Sequence, residues 1–346
     1  MNISRLLSVA PMMERTDRHC RYFFRLLSQQ TLLYSEMINA NAITKGNKTR
    51  LLNFSEIEHP LVLQIGGSDP KLLAEATKIG VDWGYDEINL NVGCPSSRVS
   101  SGDFGAVLMK RKDHVAKCVD AMAQFSSNVP ISVKCRIAVD DQDPEEILPS
   151  FIKTVSNSGV SIFIIHARKA ILSGLSPKDN RKIPPIDYNL VKKIKTQFPQ
   201  LEICLNGEIK DLSSVMNFIN DGINGCMIGR EVYKNPSKIL ENADEKIFKK
   251  MDLFGKSKKR TLYEALLKMI PYLESHLQKG GKASSVLRHL INSVSGLEGA
   301  KLFRSTLSEN MNKKNQPEIF EKALKLVNFS DKKTDAEGTH FESGLV

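Results

Sequence analysis

Eight short β-rich runs, most of them followed by a stretch long enough for a helix, decide what this 346-residue chain can fold into. They fall at 6–13, 31–37, 61–67, 87–93, 131–137, 161–167, 202–208 and 225–231, and amphipathic segments at 70–79, 110–125, 144–155, 187–198 and 212–219 separate most of them. Strands buried on both faces read as near-continuous apolar runs, and parallel sheets bury both faces. Asp69-Pro70 marks a helix start, an aspartate cap with proline in the first turn. About eight alternations over roughly 240 residues predict an α/β fold of the (β/α)8 TIM-barrel type. An open doubly wound sheet would carry a glycine-rich fingerprint after an early strand, and none is present.

After Asn235-Pro236 the pattern changes. Lys246, Lys249, Lys250, Lys256, Lys258, Lys259 and Arg260 crowd one short stretch, and beyond it only helical periodicity remains, over 261–278, 283–294, 297–309 and 317–327. The expected organisation is a catalytic barrel over 1–243, a basic linker over 244–260, a small all-helical bundle over 261–328 and a polar, disordered tail over 329–346. The net charge of +10 favours a polyanionic partner. Six cysteines without any CxxC spacing exclude the common zinc frameworks and a disulfide scaffold, so no metal is expected. A reducing, cytoplasmic compartment and a monomer are expected. The apolar run at 6–13 is too short for a signal segment, and no stretch reaches membrane-spanning length.

The fourth run carries the strongest chemical signal. Glu87, Asn89 and Asn91 alternate with Ile88, Leu90 and Val92, so the strand turns a polar face to something, such as a cofactor or substrate. It stops at Gly93, and Cys94 follows at the carboxyl end, locked by Pro95; binding groups gather at strand carboxyl ends in α/β folds. The other runs end in Gln64 with Gly66-Gly67, in Lys134 and Arg136, in His166, in Asn206-Gly207 and in Gly229-Arg230. Taken singly, each has an ordinary structural explanation. Together, glycines after the seventh and eighth strands with an arginine match the usual phosphate site of a barrel, and a lysine and a glutamine aimed at the axis suit an anionic, hydrogen-bonding ring such as a reduced flavin.

Ala10-Pro11-Met12, Asp17-Arg18-His19-Cys20-Arg21, Leu63-Gln64-Ile65-Gly66-Gly67, the block from Asn89 to Ser96 and Ile165-His166-Ala167-Arg168 resemble the tRNA-dihydrouridine synthases. The run from Leu172 to Lys178, Asn180-Arg181, Pro184-Pro185, Arg288-His289, Gly299-Ala300-Lys301 and Leu307-Ser308-Glu309-Asn310 are similar to the A-type subfamily in particular. The resemblance spans about 5–328. It implies FMN at the barrel mouth, NADPH or NADH as transient reductant, and tRNA as substrate, modified at uridines 20 and 20a of the D-loop. It places cofactor contacts on Pro11, Met12, Met13, Gln64, Lys134, His166, Asn206, Gly207, Gly229 and Arg230, and the catalytic acid on Cys94. It places tRNA contacts on Asn91, Lys178, Arg181, Lys301 and Arg304, and the basic residues Arg168 and Arg288 join them as expected grips on RNA phosphate. Three positions depart from the family pattern. Glu208 replaces a glycine, so only its backbone N–H is expected to serve the cofactor; Ala138 also replaces a glycine, and Ser305 stands in place of a second arginine.

The implied reaction sends hydride from flavin N5 to C6 of a uracil and a proton from Cys94 to C5. An ordinary thiol is mostly protonated at neutral pH and can donate. The segment 95–105, with Ser100, Ser101, Gly102 and Gly105, is expected to move and bring Cys94 into place. Competing readings are a flavin barrel acting on free pyrimidines or small enones, and a tRNA-binding or folding module without chemistry.

Overall fold

The computed structural model describes residues 3–96, 99, 102–249, 260–310 and 315–329. Ser100 and Ser101, Lys250, Lys256, Lys258 and Lys259 of the expected linker, and the tail from 330 lie outside them. The chain divides into two compact units, residues 1–265 and 266–346.

The first unit is a parallel (β/α)8 barrel. Its strands are β1 (Leu7–Val9), β2 (Leu33–Asn39), β3 (Leu61–Gly66), β4 (Glu87–Val92), β5 (Ile131–Arg136), β6 (Ile162–His166), β7 (Glu202–Asn206) and β8 (Gly225–Ile228). They lie in the order β1-β8-β7-β6-β5-β4-β3-β2. The ring closes because β1 also reaches β2, through a parallel bridge from Ser8 to Leu32 and the bond from Val9 N to the Leu32 carbonyl, 2.9 Å. All eight expected strands form. β1 and β8 end earlier than their apolar runs, since Pro11 has no N–H to offer a ladder and a helix already starts at Arg230.

Aspartates set the helix starts. Asp69, Asp143, Asp187 and Asp211 each accept from backbone N–H groups of the first turn of the helices Pro70–Trp83, Pro144–Ser156, Tyr188–Gln197 and Leu212–Asn220. The helix Arg18–Leu27, capped by Asp17, packs an apolar stripe of Cys20, Phe23, Phe24 and Leu27 and also buries Arg21 and Arg25. Arg21 Nε lies 2.7 Å from Glu58 Oε2, and Arg25 spends its guanidinium on the carbonyls of Ser28, Glu58 and Pro60. Burial pushes Arg25 down to about 10.

The barrel interior has two halves. Leu32, Tyr34, Val62, Ile162, Ile164, Cys204 and Met227 fill one with close-packed apolar volume. Ladder register builds the other: Gln64 pairs with Asn89, Asn89 with Ser132, and Asn91 with Lys134. Because strand side chains repeat every two residues, these groups and Glu87 share the inward face. At the amino end of the strands Arg5 lies 2.7 Å from Glu87 and 3.0 Å from Glu202, beneath Tyr34 and Ser132. The polar face of β4 therefore meets protein, not ligand, at Glu87 and Asn89, both wholly buried.

The second unit is helical, with Ala283–Leu290, Ala300–Asn310 and Gln316–Leu324 following the helix Leu262–Gln278. Its core holds Phe303 and Phe320, ring centroids 6.3 Å apart and steeply tilted. Gly299, at φ 83°, could not carry a side chain: a Cβ there would lie 1.8 Å from the Leu326 carbonyl oxygen.

Candidate active site

The barrel mouth is assembled from strand ends that the register sets side by side. Arg136 faces His166, His166 faces Asn206 and Asn206 faces Met227 across consecutive ladders. One layer below, Lys134 Nζ lies 3.1 Å from Asn206 Oδ1, and Asn206 Nδ2 donates to the Met227 carbonyl at 2.8 Å. Lys134 is partly exposed as a residue, yet its ammonium sits deep among protein groups. Burial first, and Arg136 next, push it down to about 8. His166 is held well below the usual imidazole range by burial, then by Arg136, Lys134, Arg168 and Arg181. It is neutral at physiological pH and offers one donor and one acceptor.

Cys94 is the one cysteine of six that is not buried. Its backbone N–H donates to Asn91 Oδ1 at 3.0 Å, and its carbonyl accepts from Ala106 N at 2.9 Å. Its Sγ is 3.6 Å from Ser96 Oγ. Gly105, at φ 77°, backs this turn, and a Cβ there would lie 2.7 Å from the Cys94 carbonyl oxygen. Asn91, expected to touch RNA, is 7% exposed and has both ends engaged: Nδ2 donates to Gln64 Oε1 at 2.8 Å, and Oδ1 accepts from the Gly93 and Cys94 amides. It shapes the turn that presents the thiol.

The rim carries cations. Arg181 is held below its ordinary value by burial, then by Arg230 and Arg15, and its buried Nε has no hydrogen-bond partner among the described residues. Arg230 Nη2 is 3.5 Å from the Arg181 carbonyl, and the Arg15 guanidinium stacks 4.6 Å over the Tyr233 ring. Among the described residues, the ionisable groups that bear most strongly on Lys134, Arg136, His166 and Arg181 are cations and cysteines. Pro11, Met12 and Met13 leave β1 in a turn closed by Thr16, and Met13 is 57% exposed. Gly207, at φ 131°, fits because a Cβ there would lie 3.1 Å from His166 Cδ2.

Arg168 corrects the sequence reading. It is 4% exposed, its Nη2 lies 2.9 Å from Glu208 Oε2, and its Nη1 donates to the Lys182 and Pro184 carbonyls. A guanidinium so enclosed ties the loop after β6 to the loop after β7 and is not presented to RNA. The same pair explains the carboxylate at 208, which answers Arg168. Lys178 is exposed in the β6 loop; Arg288 and Lys301 are exposed and Arg304 half-buried on the second unit. Two structural residues carried no assigned role in the sequence. Arg136 donates to the Gly93, Lys169 and Asn180 carbonyls, and the wholly buried Asn180 folds the loop by bonding both polar groups of Ile171. The position of Arg136, two residues after Lys134, was the available signal.

Fold and site together define a (β/α)8 barrel whose strand carboxyl ends bring together Cys94, the one cysteine that is not buried, and a cluster of cations. The sequence profile described as dihydrouridine synthase (Dus) matches residues 8–329. The chain is 47% identical over 324 residues to a tRNA-dihydrouridine(20/20a) synthase of Synechocystis sp., covering 93% of this chain and 95% of that one. It is 49% identical over 322 residues to the protein of that name in Escherichia coli K12, covering 92% and 91%. Among solved structures, an old yellow enzyme homologue from Zymomonas mobilis shares the fold with TM-score 0.51 and 11% identity, over 67% of this chain and 86% of its own. The chain belongs to the dihydrouridine synthase family. No helix among the described residues is long and apolar enough to cross a membrane, and no group of metal-binding side chains occurs among them.

Proposed function

We propose that this protein reduces the C5=C6 bond of uridines 20 and 20a in the D-loop of tRNA, with FMN as resident cofactor and NADPH or NADH as reductant. The observation that carries the reading is Cys94, the one cysteine that is not buried, at the carboxyl end of β4 within electrostatic reach of Lys134 and Arg136. The donor set suits an anionic flavin. Lys134 is a buried cation that an anionic ring would answer, and Gly207 leaves open backbone where a side chain would intrude on His166. Gln64, Lys134, His166 and Asn206 would hold the ring, with Pro11, Met12 and Met13 at its edge. Gly207, the backbone of Glu208, Gly229 and Arg230 would hold its phosphate.

When bound, the flavin supplies hydride to C6 of the uracil ring. Cys94 gives the Sγ proton to C5, completing the addition of two hydrogens, and the thiolate regains a proton from solvent. Lys134, whose ammonium is buried among protein groups, would offset negative charge on the ring, and low dielectric makes one such cation count for more than in water. The target nucleotide leaves its stack to reach the mouth, at least cost from an unpaired loop. Lys178 and Arg181 meet its phosphates on the first unit; Arg288, Lys301 and Arg304 are RNA contacts of the second, the RNA-binding unit.

Replacing Cys94 by Ala tests the reading. The purified variant should keep its yellow flavin and lose dihydrouridine formation on transcript tRNA by on the order of a hundredfold or more. Undiminished dihydrouridine formation, measured by mass spectrometry of digested tRNA, would remove Cys94 from the reaction.

A further inference from the structure

One unbroken series of buried polar side chains runs through the barrel from base to mouth, and its chemistry permits only one direction. Glu87 is wholly buried, with Arg5 Nε and Nη2 at 2.8 and 2.7 Å from its Oε2. Burial pushes the Glu87 carboxyl up, and Arg5 also has Glu202 at 3.0 Å. Two guanidinium N–H groups nonetheless converge on the one oxygen Oε2, an arrangement that holds Glu87 ionised, and a carboxylate accepts but never donates. Ser132, bonded through Oγ to Glu87 Oε1, must therefore be the donor there. Its oxygen is left to accept from Asn89 Nδ2, 2.7 Å away. Asn89 then turns Oδ1 to Gln64 Nε2, also at 2.7 Å, and Gln64 turns Oε1 to Asn91 Nδ2 at 2.8 Å. Only Asn91 Oδ1 remains, and it takes the backbone N–H groups of Gly93 and Cys94.

No link can be reversed alone. Turning any one amide would set donor against donor on one side and acceptor against acceptor on the other. A buried polar group left unsatisfied loses its hydrogen bond to water and gains none in return, so such a mismatch is strongly disfavoured. All five side chains from Glu87 to Asn91 are at most 7% exposed, so water offers little substitute. Chains of hydrogen bonds in such surroundings polarise and reinforce one another.

We infer that Glu87 is a positioning residue for Cys94: it imposes one direction on the hydrogen bonds of Ser132, Asn89, Gln64 and Asn91, and so fixes the turn that seats the thiol at the mouth. The consequence for turnover rests on the proposed role of Cys94; the seating does not. A carboxylate at the amino end of the barrel thus governs a side chain at the carboxyl end without touching ligand.

Ser132 is the link to cut, since it lies on the barrel axis side and its hydroxyl is the sole connection between Glu87 and Asn89. Ser132→Ala should lower kcat on tRNA by roughly tenfold with KM and flavin content unchanged, the size expected when a reacting group is held slightly out of place. Labelling of Cys94 by iodoacetamide, followed by mass spectrometry, should become about threefold faster as the turn opens more often. Ser132→Thr, which keeps the hydroxyl, should restore both. Should Ser132→Ala prove too unstable to purify, Ser132→Thr and Ser132→Val match in shape and differ by that hydroxyl alone. Equal kcat and equal labelling in the two members of either pair, or a threonine variant as impaired as valine, would overturn the inference. If Cys94→Ala retained activity, the proposed reaction would fall, and the labelling rates would still decide whether the relay seats the thiol.

Discussion

At the amino end of the barrel Arg5 has Glu87 and Glu202 within 3.0 Å, while at the carboxyl end the groups that bear most on Lys134, Arg136 and Arg181 among the described residues are other arginines and cysteines, not carboxylates. Both ends bury cations in one barrel, so the difference lies in what answers each charge. Removing one partner of a closed pair leaves the other buried and uncompensated, so the amino end should be sensitive in stability. A buried cation answered by neutral groups and no carboxylate leaves its charge for a ligand to balance, so the carboxyl end should be sensitive in ligand binding. Conserving charge without an answering group is tolerable where a ligand supplies it.

Breaking the closed end should give the largest effect. Arg5→Met leaves Glu87 buried without its cation and should cost about 3–5 kcal/mol. That corresponds to a fall in melting temperature of roughly 10 °C for a domain of this size. A variant melting within 2 °C or so of the parent would show that the pair is not what the base depends on.

The open end should answer in the opposite way. Lys134→Met should lower flavin affinity roughly tenfold to a hundredfold, the range for a lost hydrogen bond to a charged group. It should leave the ligand-free protein as stable as before, or more so. The pH dependence sharpens the contrast. Lys134 is pushed down to about 8 from an ordinary 10.5, and a base depressed in the folded state penalises folding while it is charged. That penalty is complete below about 8 and is relieved as pH climbs towards 10.5. The ligand-free protein should therefore gain stability from this group across that window, whereas flavin affinity should decline over the same rise. Melting and flavin titration between pH 7 and 10.5 would show both trends in the parent and neither in Lys134→Met. A parent whose stability tracks the variant across the window would mean the ammonium is not depressed.

The eight strands were legible because burial on both faces writes itself as apolar runs, and Cys94 was legible because β4 departs from that rule. What β4 faces was not. Alternation says that Glu87, Asn89 and Asn91 share a side, but only ladder register reveals that Ser132 and Gln64 stand opposite them. In the helix Arg18–Leu27 the apolar stripe Cys20, Phe23, Phe24, Leu27 was there to be read, but a pattern that treats charge as surface cannot see Arg21 spent on Glu58 or Arg25 on carbonyls. Arg168 failed in the same way. A basic residue in a loop near a proposed RNA site reads as a phosphate grip until a partner forty residues later is brought beside it.

That partner, Glu208, is where the two ends of the barrel are compared within a single loop, because here the mouth adopts the closed pairing of the base. Its carboxylate is 34% exposed and reaches the buried Arg168, but its backbone sits at φ 48°, a left-handed conformation that L-residues enter at a cost of about 1–2 kcal/mol. Two opposing terms of similar size meet at one residue, so the net effect of replacing it should be the smallest of all. Glu208→Gly and Glu208→Ala lose the same carboxylate and leave Arg168 the same carbonyl partners, but only glycine relaxes the backbone. The glycine variant should melt within a few degrees of the parent, and the alanine variant should be less stable than glycine by about 1 kcal/mol. Equal melting of the two would mean that the ion pair alone sets the stability of this turn. The predicted gap would mean that the pair offsets strain, so that the mouth tolerates a carboxylate where it closes a loop and leaves its remaining cations for the ligand.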